Sequence, residues 1–224
     1  MKKSLFIVLF LSSPMLLAQH QWEFGIDLKG AFPRGEFEEF TDDGAGVGLR
    51  LGYAPRAGAW SVGLDVAVVE FDDITYDDPF GDCCLGLIDE IEIANQAVMG
   101  HVFLKWEDRD GFFRPYVEGL AGLKHLENKT RFLVDGDEEI DTDTNFDDTA
   151  FSWGAGLGMS FRLMDQGPSG NVLLLKAGCR WLHGGEAEYV PEGGAFLDGD
   201  VLVTEIVRSE TDLFTADIGL SFKF

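Results

Sequence analysis

Residues 150–163, AFSWGAGLGMSFRL, decide the fold. In an extended chain successive side chains point to opposite faces, so Phe151, Trp153, Ala155, Leu157, Met159, Phe161 and Leu163 share one face. Ser152, Gly154, Gly156, Gly158, Ser160 and Arg162 share the other. A helix would scatter the same residues around its axis and put glycines through its middle. The final segment repeats the pattern: Phe214, Ala216, Ile218, Leu220, Phe222 and Phe224 oppose Thr215, Asp217, Gly219, Ser221 and Lys223.

Six further segments read in the same way, at residues 21–32, 45–54, 60–71, 92–106, 112–126 and 171–182. In the first, Trp22, Phe24, Ile26 and Leu28 oppose Glu23, Gly25, Asp27 and Lys29, and in the second Val47, Leu49, Leu51 and Tyr53 oppose Gly46, Gly48, Arg50 and Gly52. The segments at 92–106 and 112–126 do not fix their own phase. The expected count is eight strands. The connections alternate in length: 33–44, 72–91, 127–149 and 183–211 are long, whereas 55–59, 107–111 and 164–170 are short. Tight turns on one side and long loops on the other are the pattern of a transmembrane barrel. The apolar run around 201–207 predicts a hairpin that continues the neighbouring strands above the membrane.

Composition narrows the function classes. Forty acidic residues against 17 basic ones give a net charge of -23, which repels nucleic-acid phosphates. No internal run reaches the ~18–20 apolar residues of a membrane helix, so any crossing must use strands. Lys2 and Lys3, the apolar run 5–11, the break at Ser12, Ser13 and Pro14, and Ala18 form a signal peptide over residues 1–18, leaving a barrel domain at 19–224. Leu16 is larger than the usual residue three places before the cut, and no Cys follows it, which disfavours lipoprotein processing. Loss of two lysines and no acids would leave a mature charge of -25. The three cysteines, Cys83, Cys84 and Cys179, make neither a disulfide framework nor a zinc spacing.

Alternation alone does not say which face is outside, and a secreted barrel with an apolar interior has the same period. Glycine on the polar face argues for a narrow, crowded interior. Aromatic residues gather at two levels: Trp22, Tyr53, Trp60, Trp106, Phe112, Phe161 and Phe222 near the short turns, and Phe32, Phe71, Trp153, Trp181 and Phe214 near the long loops. Two such girdles anchor a barrel in lipid. The terminal Leu220-Ser221-Phe222-Lys223-Phe224 resembles the C-terminal signal of outer-membrane barrels. With the leader, the strand count and the loop asymmetry, the chain resembles the OmpA-like or OmpX-like superfamily. The resemblance implies an all-β, eight-stranded antiparallel up-and-down transmembrane β-barrel in the outer membrane, contacts with outer-membrane lipid and lipopolysaccharide, and insertion by the barrel-assembly machinery. It implies little about activity. Asp27, Lys29, Arg50, Asp65, Arg162, Lys176, Arg180 and Asp217 would then point inward and have to neutralise one another, filling the lumen and disfavouring a general porin.

Candidate chemistry is sparse. The acidic stretch Asp135, Asp137, Glu138, Glu139, Asp141, Asp143, Asp147 and Asp148 suggests calcium, and Asp141, Asp143 and Asn145 match the opening of an EF-hand loop. Phe146 stands where that loop needs Gly, and Ser152 where it needs Glu, so the stretch reads as a solvated loop. His101, His125 and His183 are candidates for a lipid-modifying site with Ser152 and Glu127, which would need a His within hydrogen-bond reach of a Ser hydroxyl and a carboxylate. No nucleotide or zinc motif occurs. The expectation is a monomeric, non-enzymatic barrel with acidic outer loops and no assigned catalytic, cofactor or metal residue. A lipid A-modifying hydrolase or acyltransferase and a narrow ion channel are the alternatives.

Overall fold

The computed structural model describes residues 20–55, 58–77, 90–108, 111–134, 138–165, 171–191, 193–198 and 201–224. The signal segment, Cys83, Cys84, Asp135 and Asp137 lie outside the described residues. The strands are β1 (His20–Pro33), β2 (Gly44–Pro55), β3 (Trp60–Asp77), β4 (Glu90–Glu107), β5 (Phe113–Val134), β6 (Glu138–Asp165), β7 (Val172–Gly184), β8 (Glu186–Tyr189), β9 (Ala195–Asp198), β10 (Val201–Thr204), β11 (Val207–Glu210) and β12 (Leu213–Lys223). Strands β1 to β7 and β12 close into one antiparallel barrel in chain order, with β12 returning to β1. These are the eight segments that alternation marks in the sequence.

The register fixes the width. Stepping around the barrel, Glu23 pairs with Gly52, Gly52 with Gly63, Gly63 with Phe103 and Phe103 with Leu120. Leu120 then pairs with Gly154, Gly154 with Leu182, Leu182 with Leu213, and Leu213 with Pro33. The circuit leaves β1 at Glu23 and returns at Pro33, a stagger of about ten residues over eight strands, which tilts the strands and leaves an interior that side chains fill.

The barrel is inside out. Ile26, Leu28, Leu49, Leu64, Val102, Leu104, Val117, Leu157 and Ile218 are all exposed on its wall, while Lys29, Arg50, Asp65, Lys105, Glu118 and Arg180 are buried within. Among the described residues no helix is long and apolar enough to cross a membrane. A water-facing wall would reverse this distribution, and closure pairs the backbone groups that lipid cannot satisfy. The phase the sequence left open is now set: Val102, Leu104 and Trp106 face out on β4, and Val117 and Leu123 on β5.

Three expectations are corrected. Strands β5 and β6 contain 22 and 28 residues, and remain paired up to Val134 and Glu138, while β3 and β4 pair up to Asp77 and Glu90. Much of the segments 72–91 and 127–149 is therefore ladder rather than loop, since a span needs only ~9–11 residues and a ladder already started can continue into water. The run at 201–207 forms a hairpin, but as two short ladders, β8 with β11 and β9 with β10, separate from the barrel sheet. Phe71, expected in the outer girdle, is buried. It shares odd parity with Ser61 and Asp65 on β3, and so turns into the barrel mouth.

There it meets a plug that the sequence did not reveal. After Gly35, whose φ of 64° makes the turn, a short 3-10 segment (Gly35–Glu39) drops Phe37 inward. The Phe37 ring packs edge-on against Phe71 at 5.7 Å and against Tyr189 of β8 at 5.1 Å. Buried Lys124 lies over the Phe37 ring and donates to the Thr211 carbonyl.

Candidate functional site

The lumen and the outer rim hold the polar chemistry. Near the short-turn end, Glu23 accepts Lys105 Nζ at 2.9 Å, Lys176 Nζ at 3.0 Å and Ser221 Oγ at 2.9 Å. Lys223 donates to Glu107, which also accepts Ser160 Oγ at 2.9 Å. Higher up, Arg180 bonds Asp65 through both terminal nitrogens, at 3.0 and 3.1 Å, and reaches Glu118 through Nε at 2.9 Å. Arg50 bridges the same two carboxylates, at 3.1 Å each, and lies 4.3 Å from the centre of the Phe103 ring. Asp217 flanks Arg180 at 3.7 Å, and Lys29 pairs with Asp27 at 2.7 Å.

Six carboxylates (Glu23, Asp27, Asp65, Glu107, Glu118, Asp217) thus meet six cations (Lys29, Arg50, Lys105, Lys176, Arg180, Lys223). Burial in low dielectric tolerates such charges only as a balanced, hydrogen-bonded set. The glycines make room for it. A Cβ at Gly158 or Gly178 would run into the Tyr116 ring or hydroxyl, and one at Gly63 would stand 2.7 Å from Phe103. Between Arg50, Lys176, Arg180 and Asp217 the remaining void is about 10 Å³, at the lower limit for one water molecule. A second void of about 20 Å³ lies at the mouth beside Phe37 and Tyr189.

Seven of the eight inward charges read from the sequence lie in the lumen or on its wall as expected. Arg162 is the exception in role: it sits at the short-turn rim, where its Nη2 donates to the Gly111 carbonyl at 2.8 Å. Glu23 and Lys223 were on the polar face but not identified as partners. Lys105, Glu107 and Glu118 were missed, because β4 and β5 did not reveal their phase.

The histidines separate. His101 and Ser152 are both buried on the inward face, one strand apart on either side of Gly122 in the register, and Ser152 lies beside Gly184 at the level of the outward His183. His125 is at the rim, where Nδ1 lies 2.9 Å from Thr149 Oγ1, a threonine rather than a serine. Its Nε2 is 3.9 Å from Glu127 and 4.0 Å from Asp147, beyond hydrogen-bond range. The acidic stretch is pinned in part: Asp148 accepts the Thr149 N–H at 2.7 Å and the Glu188 N–H at 2.9 Å, which hold its carboxyl below the usual carboxylate range, with the Glu188 bond the larger cause. His183 faces outward with Nδ1 2.7 Å from Asp212 Oδ1, and Trp153 packs edge-on against it at 5.5 Å. Glu210 completes a group whose potential ligand atoms all lie within 4.8 Å of one another. Sequence reading missed this group because its members come from β7, from the end of β11 and from the residue before β12.

No family model matches the chain, and no curated protein matches it in sequence. Solved structures similar to it include outer-membrane and surface proteins. Neisserial surface protein A is 12% identical, with 90% of this chain and 95% of that chain covered and a TM-score of 0.45. Ail, the attachment invasion locus protein of Yersinia pestis, solved with the heparin analogue sucrose octasulfate, is 13% identical, with 92% and 99% covered and a TM-score of 0.45. A major outer membrane protein from Thermus thermophilus is 11% identical, with 91% and 99% covered and a TM-score of 0.45. The closed eight-strand circuit, the apolar wall with aromatic residues at both ends and the ion-paired interior make this chain a small, integral outer-membrane β-barrel.

Proposed function

We propose that the protein is a non-enzymatic, monomeric anchor that presents an acidic outer surface for envelope integrity or surface binding, and that it is not a pore. The carrying observation is the filled lumen: a balanced ion-pair set below and the Phe37–Phe71–Tyr189 plug above. What remains to meet other molecules is the rim. The segments 33–44, 72–91, 127–149 and 183–211 are each far richer in Asp and Glu than in Lys and Arg. Such a surface repels anions and gathers cations, including those that bridge phosphorylated lipopolysaccharide headgroups. Cleavage after Ala18 and insertion by the barrel-assembly machinery through β12, with Phe222 near its end and Phe224 just after it, complete this reading.

The test has three measurements. Protein reconstituted in planar bilayers should give no defined single-channel steps. Incubation with lipid A should leave its acyl pattern unchanged by mass spectrometry. Cells lacking the protein should lose resistance to detergent or lose surface attachment. Discrete conductance, or a deacylated or palmitoylated lipid product, would overturn the proposal, as would a deletion strain unchanged in both properties.

A further inference from the structure

The geometry points to a divalent-cation site of the zinc class at the outer rim, made by His183, Glu210 and Asp212. His183 and Asp212 face each other across the β7–β12 junction, just above the outward Trp153 and Trp181. Glu210, at the end of β11, brings a second carboxylate, and one ligand atom from each residue lies within 4.8 Å of those from the other two. A hydrogen bond from the imidazole to Asp212 explains two of the three groups. It leaves Glu210 with no Lys or Arg side chain paired to it among the described residues, while Asp212 feels buried Lys124, which donates to the Thr211 carbonyl between the two. The Glu36 carboxylate accepts the Glu210 N–H at 3.4 Å, adding a further negative charge. A metal ion in place of the shared proton would satisfy all three groups. An imidazole with two carboxylates suits Zn²⁺ better than Mg²⁺ or Ca²⁺, which favour all-oxygen sets.

The ligands are also held in place before any ion arrives. Asp212 Oδ1 accepts the Gly184 N–H at 3.0 Å, its carbonyl accepts the Arg34 N–H at 3.0 Å, and the Trp153 ring limits rotation of the imidazole. Supporting contacts of this kind raise the affinity of a metal site. The site is open to solvent, since His183 and Glu210 are partly or fully exposed. It goes beyond the anchoring role proposed above and does not depend on it.

The experiment uses the full protein extracted in detergent and stripped of metal, with Cys83, Cys84 and Cys179 replaced by Ser to remove competing thiolates. Calorimetric titration with ZnCl₂ should show one saturable equivalent, with MgCl₂ and CaCl₂ far weaker. His183→Ala and Glu210→Gln should each weaken Zn²⁺ binding at least about tenfold, with heat-modifiable gel mobility unchanged to show an intact barrel. His125→Ala should leave binding as it was. No saturable Zn²⁺ binding overturns the site, and so does binding that survives both His183→Ala and Glu210→Gln, or binding that only His125→Ala removes. Should His183→Ala fail to fold, the Glu210→Gln variant decides alone.

Discussion

Replacing Glu118 by Ala tests whether the interior is held by charge balance. Glu118 accepts one hydrogen bond from Arg50 at 3.1 Å and one from Arg180 at 2.9 Å, and its side chain is almost wholly buried. Its loss leaves two guanidinium groups on Asp65 and Asp217, and the six ion-paired cations facing five carboxylates. Breaking a buried pair by removing one partner costs about 3–5 kcal/mol, chiefly because the surviving charge stays buried without compensation. Urea unfolding in lipid vesicles, followed by tryptophan fluorescence, should show a loss of that size. The double variant Glu118→Ala with Arg180→Met removes a cation as well, so it should lose less than the two single losses added together. The exposed Arg208–Glu186 pair, 2.7 Å apart, supplies the comparison: Arg208→Ala should cost less than about 1 kcal/mol. A Glu118→Ala loss as small as that of Arg208→Ala, or strict additivity in the double variant, would refute charge balance as the basis of the interior.

Three further outcomes follow from the same geometry. Leu157 is 61% exposed near the middle of β6's lipid-facing stretch, so Leu157→Arg should destabilise the bilayer-inserted barrel by about 2–4 kcal/mol, and an unchanged unfolding midpoint would place that face elsewhere. Gly158→Val would press a side chain into both the Tyr116 ring and the Ala177 carbonyl and should cost at least about 1–3 kcal/mol by overpacking, with Tyr116→Ala in the same chain recovering only the part due to the ring; no recovery would mean that the backbone carbonyl alone keeps a side chain out. Asp148 is bound by two backbone N–H groups in the ionised form, so its stabilisation of the β8 contact is present above the ordinary Asp value of about 3.9 and fades as pH falls through its lower folded value. The Glu188 amide proton, followed by NMR, should titrate with a midpoint below that ordinary value and lose this titration in Asp148→Asn; a midpoint at or above it would sink the assignment.

The wall of the barrel was legible because lipid contact is a one-residue rule. Phe151, Trp153 and Leu157 alternate with Ser152, Gly154 and Gly156, and nothing beyond that local period is needed to place them. The lumen was half legible for the same reason. Arg50 and Asp65 announce themselves beside glycines, whereas β4 offers Phe103 and β5 offers Tyr116 and Leu120 on the inward face, so apolar and polar parity cross and Lys105, Glu107 and Glu118 are hidden. The plug was not legible, since Phe37 sits in an acidic connection, GEFEE, and only its packing on Phe71 and Tyr189 turns it inward. The His183 group was invisible because residues 183 and 210 are drawn together by the short β8–β11 ladder rather than by any spacing.

Balance inside the barrel also decides where the protein's charge acts. Because the six lumen carboxylates are met by six cations, the excess of acid over base belongs to the segments outside the membrane. At physiological ionic strength the Debye length is about 8 Å. The field of those segments is therefore felt at the rim and a short way beyond it, and not through the barrel. Neutralising the rim acids should change what gathers at the outer surface while leaving barrel stability nearly intact, whereas the Glu118→Ala change should do the opposite. An interior that answers to stability and a rim that answers to ligands make the two kinds of substitution separable in one protein. A rim variant such as Glu186→Gln that unfolded the barrel would contradict that division directly.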